Sequence, residues 1–129
     1  MNELEVEGLV ADGWVLPKPE SCGCHARTVL PSDAPSRKGV PLCTGVLDYF
    51  PDALVEVARC SKAGNDQHHL GAPLRWDKSK STDEADALVR HLLERGKRDT
   101  DGLRHTAKVA WRALALLQRE LDAERGVKS

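Results

Sequence analysis

Two pairs of carboxylates at helical spacing carry the chemistry that this sequence can most readily do. Asp52 and Glu56 stand four residues apart, and Asp83 and Asp86 stand three apart, so each pair projects from one face of a helix. Packed against each other, those faces would gather four charges that repel strongly when bare. Hard divalent cations such as Mg2+ or Mn2+ prefer oxygen ligands and relieve that repulsion. A cation held there suits phosphate chemistry, because it binds phosphate oxygens, neutralises developing charge and activates water. The same spacing also describes an ordinary solvated face. Asp52 and Asp83 fall in first helical turns, where the helix dipole favours acids whatever the function.

Three helices must position these groups. The first starts at Pro51, whose missing N–H is harmless at a first helical position, and runs to a stop at Gly64. Leu54, Val57 and Ala58 form its inward stripe. The second opens with Ser81 and Glu84 in capping-box spacing and runs to about Glu94, before Gly96. The third opens after Asp99-Thr100-Asp101-Gly102 and extends to Gly126, with a wide apolar stripe through Val109, Ala110, Ala113, Leu114, Leu117 and Leu121. A helix apolar on so much of its surface needs partners on two sides. The expected fold is therefore all-α, a helical bundle of three main helices over residues 47–129, completed by dimerisation.

Residues 1–46 have a different texture. They hold most of the seven prolines and show no sustained helical period. This half reads as an irregular arm and linker in which Glu3–Glu7 and Gly13–Leu16 can pair as a short β-hairpin, and residues 31–36 read as linker. Cys22-Gly23-Cys24-His25 reads as a polar loop; it lacks the spacing of a typical zinc knuckle and no second pair follows.

Composition excludes some classes of function. A chain of 129 residues with 40% apolar residues fits one domain with a modest core, and a site shared between subunits follows naturally from so short a chain. A net charge of −1 with mixed signs argues against a general nucleic-acid binder. No apolar run approaches the roughly 20 residues that span a bilayer, and the acidic start MNELEVEG lacks the features of a signal peptide. A cytoplasmic location is expected, with the four cysteines reduced.

Several stretches in a fixed order carry a resemblance. They are Arg37-Lys38-Gly39, Tyr49 through Ala58, Gly64-Asn65-Asp66-Gln67-His68, Trp76 through Ser81, Asp86 through Leu92, Asp99-Thr100-Asp101-Gly102, and Arg104-His105 through Leu114. Over roughly residues 37–121 the chain resembles the phage and bacterial dATP/dGTP diphosphohydrolase family in its N-terminal-domain form. That family looks related to the all-α MazG-type nucleotide pyrophosphohydrolases, whose metal motif is E-E-x-x-E followed, some two dozen residues on, by E-x-x-D. Asp52 and Glu56 match the first and third acids, and Asp83 and Asp86 match the second half. Ala53 replaces the middle acid, and aspartate stands at two glutamate positions.

The resemblance implies metal-dependent hydrolysis of a purine deoxynucleoside triphosphate, dATP or dGTP, at a phosphoanhydride bond, with Mg2+ or Mn2+ as cofactor. Asp52, Glu56, Asp83 and Asp86 would hold the metal; Glu56, Asp86 and His105 are the catalytic candidates, His105 as a proton shuttle or phosphate contact. Lys108 and Arg112, four apart on the third helix, would cradle the phosphates, with Arg90 and His91 adding to them. Asn65, His68, Trp76 and Lys78 would meet the nucleotide, Trp76 by stacking on the base or else as a plug for the bundle. Trp111 reads as core and Asp101 as a helix cap or metal ligand. The chief rival is a non-catalytic nucleotide-sensing or protein-binding helical module, for which Ala53 is the best argument. The HD-type phosphohydrolases are set aside because the chain has no His-Asp dipeptide.

Overall fold

The structure, a computed structural model, describes residues 30–126. The hairpin expected near the N-terminus and the Cys22-Gly23-Cys24-His25 cluster lie outside the described residues. Residues 30–40 and those from Pro41 onward belong to separate units. The described fold is all-α, as expected, with four α-helices and no strand among the described residues.

In the first unit α1 spans Ala34–Lys38, overlapping the stretch read as linker. Asp33 caps it by accepting a hydrogen bond from the Ser36 N–H at 2.9 Å, and a proline sits in its first turn. In the second unit a π-helical turn at Cys43–Leu47 precedes α2 (Pro51–His69), α3 (Glu84–Leu93) and α4 (His105–Glu124). The prolines and glycines that were expected to punctuate the helices do so, with one exception. Gly64 does not stop α2, which runs on to His69 and ends before Gly71, whose φ of 82° is of the left-handed kind that ends helices. An isolated helical glycine costs about 1 kcal/mol against alanine, too little to end a helix still held by its neighbours. As a result Asn65, Gln67 and His68, which lie past the expected stop at Gly64, ride on the last turns of α2.

Helix α4 is the organising element. It packs along much of α3 and a shorter stretch of α2, while α2 and α3 scarcely meet. On α3 the inward stripe runs through Glu84, Ala87 and His91, the three-and-four spacing of one helical face. Ala87 on α3 and Ala107 and Ala115 on α4 are the fully buried apolar residues described. Many larger apolar side chains stay exposed, among them Val55, Val89, Leu93, Leu114 and Leu117.

Polar bonds fasten the connection between α2 and α3 to α4. Lys78 pairs with Asp122, which is almost fully buried, and Gln118 also donates to that carboxylate. Arg119 donates to the backbone carbonyls of Lys78 and Ser81. At the other end of the connection the side-chain amide of buried Asn65 donates to the Ala72 carbonyl at 3.3 Å and accepts from the Arg75 N–H at 3.4 Å. No described helix is long and apolar enough to cross a membrane.

Candidate functional site

A cleft of about 530 Å3 opens between α2, α4 and the 70–83 connection, within the size range of ligand pockets. Of the residues expected to meet a nucleotide, Asn65, His68, Trp76, His91, Lys108 and Arg112 all line it. They arrive from four pieces of chain. The first two come from α2, Trp76 from the connection, His91 from α3, and the last two from α4.

The cleft has an aromatic floor. Trp76 and Trp111 meet edge to face, with ring centres 5.5 Å apart and planes at 77°, the arrangement their quadrupoles favour. Lys78 lies over the Trp76 ring at 4.9 Å and Arg119 at 5.8 Å. Trp76 is thus both wall and plug, and Trp111, read as core, is a half-buried cleft residue. Lys78 does not line the cleft, because Asp122 holds its ammonium.

Glu84, singled out only as a capping residue, is a buried acid that does not itself line the cleft but bonds to Arg112 and Ser81, which do. Its carboxylate takes Arg112 at 3.1 Å and lies 3.8 Å from Arg119. The capping box accordingly does not form. The N-cap of α3 is Asp83, which makes no side-chain cap bond, and the Ser81 hydroxyl bonds to the carboxylates of Asp83 and Glu84 instead.

At the other end of the cleft the tight turn Asp99–Gly102 presents two acids to one amine. Gly102 has a φ of 82° and donates to the Asp99 carbonyl at 2.9 Å. Lys108 reaches Asp99 at 2.7 Å and Asp101 at 2.8 Å. The Lys108 hydrogen bond brings the Asp99 pKa down to about 2 and also lowers that of Asp101. Burial opposes the charge on Lys108, but the bonds to Asp101 and Asp99 outweigh it, and its pKa is raised. Asp101 does not cap α4; its carboxylate accepts from the Leu103 N–H within the turn at 3.0 Å, and α4 has no side-chain cap.

Beside this pair, His91 Nδ1 lies 2.9 Å from His105 Nδ1. Burial, then the charge of Lys108, pushes the His91 pKa down, so its imidazole is neutral near pH 7.

The four carboxylates expected to bind metal sit elsewhere. Asp83 and Asp86 lie on the exposed outer face of α3, and Arg90 holds Asp83 at 2.9 Å, a bond that lowers the Asp83 pKa. Asp52 is exposed, and half-buried Glu56 pairs with Arg59 at 3.5 Å. No three of these four come within one coordination sphere, and none lines the cleft. The physical reason is that α2 and α3 each turn their inward faces to α4 and not to each other. Within one chain these four acids therefore do not form one shared ligand set for a cation.

The family model described as dATP/dGTP diphosphohydrolase, N-terminal, matches residues 36–128. The chain belongs to that family. No curated protein and no solved structure matches it. In this member of the dATP/dGTP diphosphohydrolase N-terminal family, the matched region contains the whole cleft.

Sequence reasoning missed Arg75 and Lys80, two exposed cations at the cleft, as well as Glu84. The stripe of Ala87, Leu88 and His91 was the available signal for Glu84, since it extends one turn back to that residue. Nothing comparable marked Arg75 and Lys80, because their place depends on how the 70–83 connection folds back.

Proposed function

We propose that the cleft binds a purine deoxynucleoside triphosphate, dATP or dGTP, and that a phosphoanhydride bond is hydrolysed there. The observation that carries this reading is the convergence in one cleft of the aromatic, amide and cationic residues that a nucleotide needs, in a chain of a family described by that activity.

The cleft is electrostatically divided. Arg75, Lys80 and His68 face it from the connection and α2; Arg75 lies 3.9 Å from Asp77, which also lines the cleft, and both Arg75 and Lys80 are exposed enough to turn towards phosphate oxygens. Lys80 donates to the His69 ring at 3.1 Å. Lys108 and Arg112 are already paired, so they contribute by fixing carboxylates and shaping the wall more than as free phosphate cradles. The Trp76–Trp111 floor provides apolar surface for a purine, and Gln67 provides an amide for its edge. His91, His105 and the turn at Asp99 form the end at which water would be deprotonated.

The exposed leucines and valines of α2, α3 and α4 support a homodimer or higher homo-oligomer. The carboxylates Asp52, Glu56, Asp83 and Asp86 enter the reading as metal ligands only through such an assembly, in which acids of two copies would combine.

Incubation of the protein with each deoxynucleoside triphosphate and Mg2+ or Mn2+, with products resolved by chromatography, tests the reading. Consumption of dATP or dGTP supports it. A nucleotide that raises the melting temperature without being consumed favours the sensing module.

A further inference from the structure

His91, Asp99 and His105 come from the end of α3, the following turn and the start of α4. Their ligand atoms all lie within 4.8 Å of one another, the one such three-residue group among the described residues. The two Nδ1 atoms are 2.9 Å apart. Nitrogens bound at about 2.1 Å to one ion, roughly at right angles, would stand about 3 Å apart. The imidazoles therefore already hold the separation of neighbouring ligands. A single shared proton would also account for that contact, but it would not use the Asp99 carboxylate oxygen that lies within 4.8 Å of both rings.

The charges around the site are mixed in sign, with Lys108 and Arg112 acting on His91 from the positive side. Asp99 and Asp101 bring two negative charges against the one ammonium of Lys108. The Asp99 carboxylate is also oriented from outside, by the Thr100 N–H at 2.6 Å and by Lys108, as the carboxylates of metal sites are. All three residues are half-buried, and His91 reaches the cleft wall, which leaves further coordination positions open on that side.

We propose that His91, Asp99 and His105 form a three-ligand site for a first-row divalent transition metal, open towards the cleft. Two imidazoles and one carboxylate select Mn2+, Fe2+, Co2+, Ni2+ or Zn2+ over Mg2+, which prefers oxygen ligands alone. The site is distinct in residues and in ligand chemistry from the four carboxylates. The use of the ion in hydrolysis rests on the reading above; its binding does not.

The test is a titration of the purified full-length chain with Co2+ alone, without nucleotide, followed by visible absorption and calorimetry. The expected result is one Co2+ per chain with the spectrum of nitrogen and oxygen ligands, unaffected by an equal concentration of Mg2+. His105→Gln and Asp99→Asn, each shown to be folded by circular dichroism, should weaken binding roughly tenfold or more, a loss of the size metal sites suffer from such changes. Cys22→Ser/Cys24→Ser should leave it unchanged. The proposal is overturned if the folded chain takes up no Co2+ or if both folded variants bind as tightly as the parent. It is equally overturned if the spectrum shows thiolate-to-cobalt charge transfer that the cysteine variant abolishes. Because no nucleotide is present, failure here is distinct from failure of the hydrolase reading.

Discussion

Arg112 on α4 meets Glu84 on α3 across 3.1 Å, and Glu84 is only 2% exposed. This relationship sets the register of the two helices and reveals which acid of the Asp83-Glu84-x-Asp86 run faces inward. A buried carboxylate is tolerable only because two guanidinium groups surround it.

Removing that carboxylate leaves Arg112 and Arg119 part-buried without their counter-charge. Glu84→Ala should destabilise the fold by about 3 kcal/mol, near the lower end for breaking a buried pair, as read by urea denaturation. Asp83→Asn weakens only exposed contacts, with Arg90 and with the Ser81 hydroxyl, and a change of at most about 0.5 kcal/mol is expected. Equal effects of the two substitutions would contradict the register.

Asp122 ties the Trp76–Ser81 segment to α4 through Lys78. Asp122→Ala should destabilise by about 2 kcal/mol, between the small effect of exposed pairs and the larger one of buried pairs. It should also increase the rate at which the cleft tryptophans are quenched by acrylamide, because the connection loses its anchor. An unchanged quenching rate would show that Arg119 holds the connection by itself.

The pair of acids on Lys108 gives a defined response to pH. The folded pKa of Asp99 is about 2, below its ordinary value of 3.8, so its contribution to stability is fully present above pH 3.8 and is lost as pH falls towards 2. Asp101 acts in the same direction. The Lys108 pKa is raised above 10.5, so its contribution is present below that pH and fades as pH rises through the higher folded value. Lys108→Met should flatten the stability profile at both extremes, measured as melting temperature against pH. A profile that keeps its acid limb would place the response in other carboxylates.

Much of the fold was legible in the sequence and less of the site. Pro51, Gly96 and Gly126 mark helix ends that depend on local backbone chemistry, whereas the apolar stripe expected on α4 is half exposed at Ala113, Leu114 and Leu117, and the buried face runs through Ala107, Ala115 and Asp122. Gly64 misled, because whether a glycine ends a helix depends on the φ it adopts and not on its presence. For the site, the residues of α2 and α4 that line the cleft could be named through the family resemblance, with Lys108 and Arg112 also sharing one helical face. The acids could not be placed, because helical spacing shows which residues share a face and says nothing about which face meets a neighbour. Three inward candidates, Asp83, Glu84 and Asp86, differ by fractions of a turn, and the choice among them is made by Arg112 and Arg119 on another helix.

The most direct test of the cleft as a nucleotide hydrolase site is the initial rate of dATP and dGTP hydrolysis, resolved by product, for the parent chain and for Arg75→Ala/Lys80→Ala. These two cations are exposed, so the fold should survive their loss. The account predicts that the parent consumes at least one of the two nucleotides. It also predicts that the double variant, equally folded, loses roughly tenfold in kcat/KM, about 1.4 kcal/mol of transition-state binding. A folded parent that consumes neither nucleotide, or a double variant that hydrolyses as well as the parent, would contradict it.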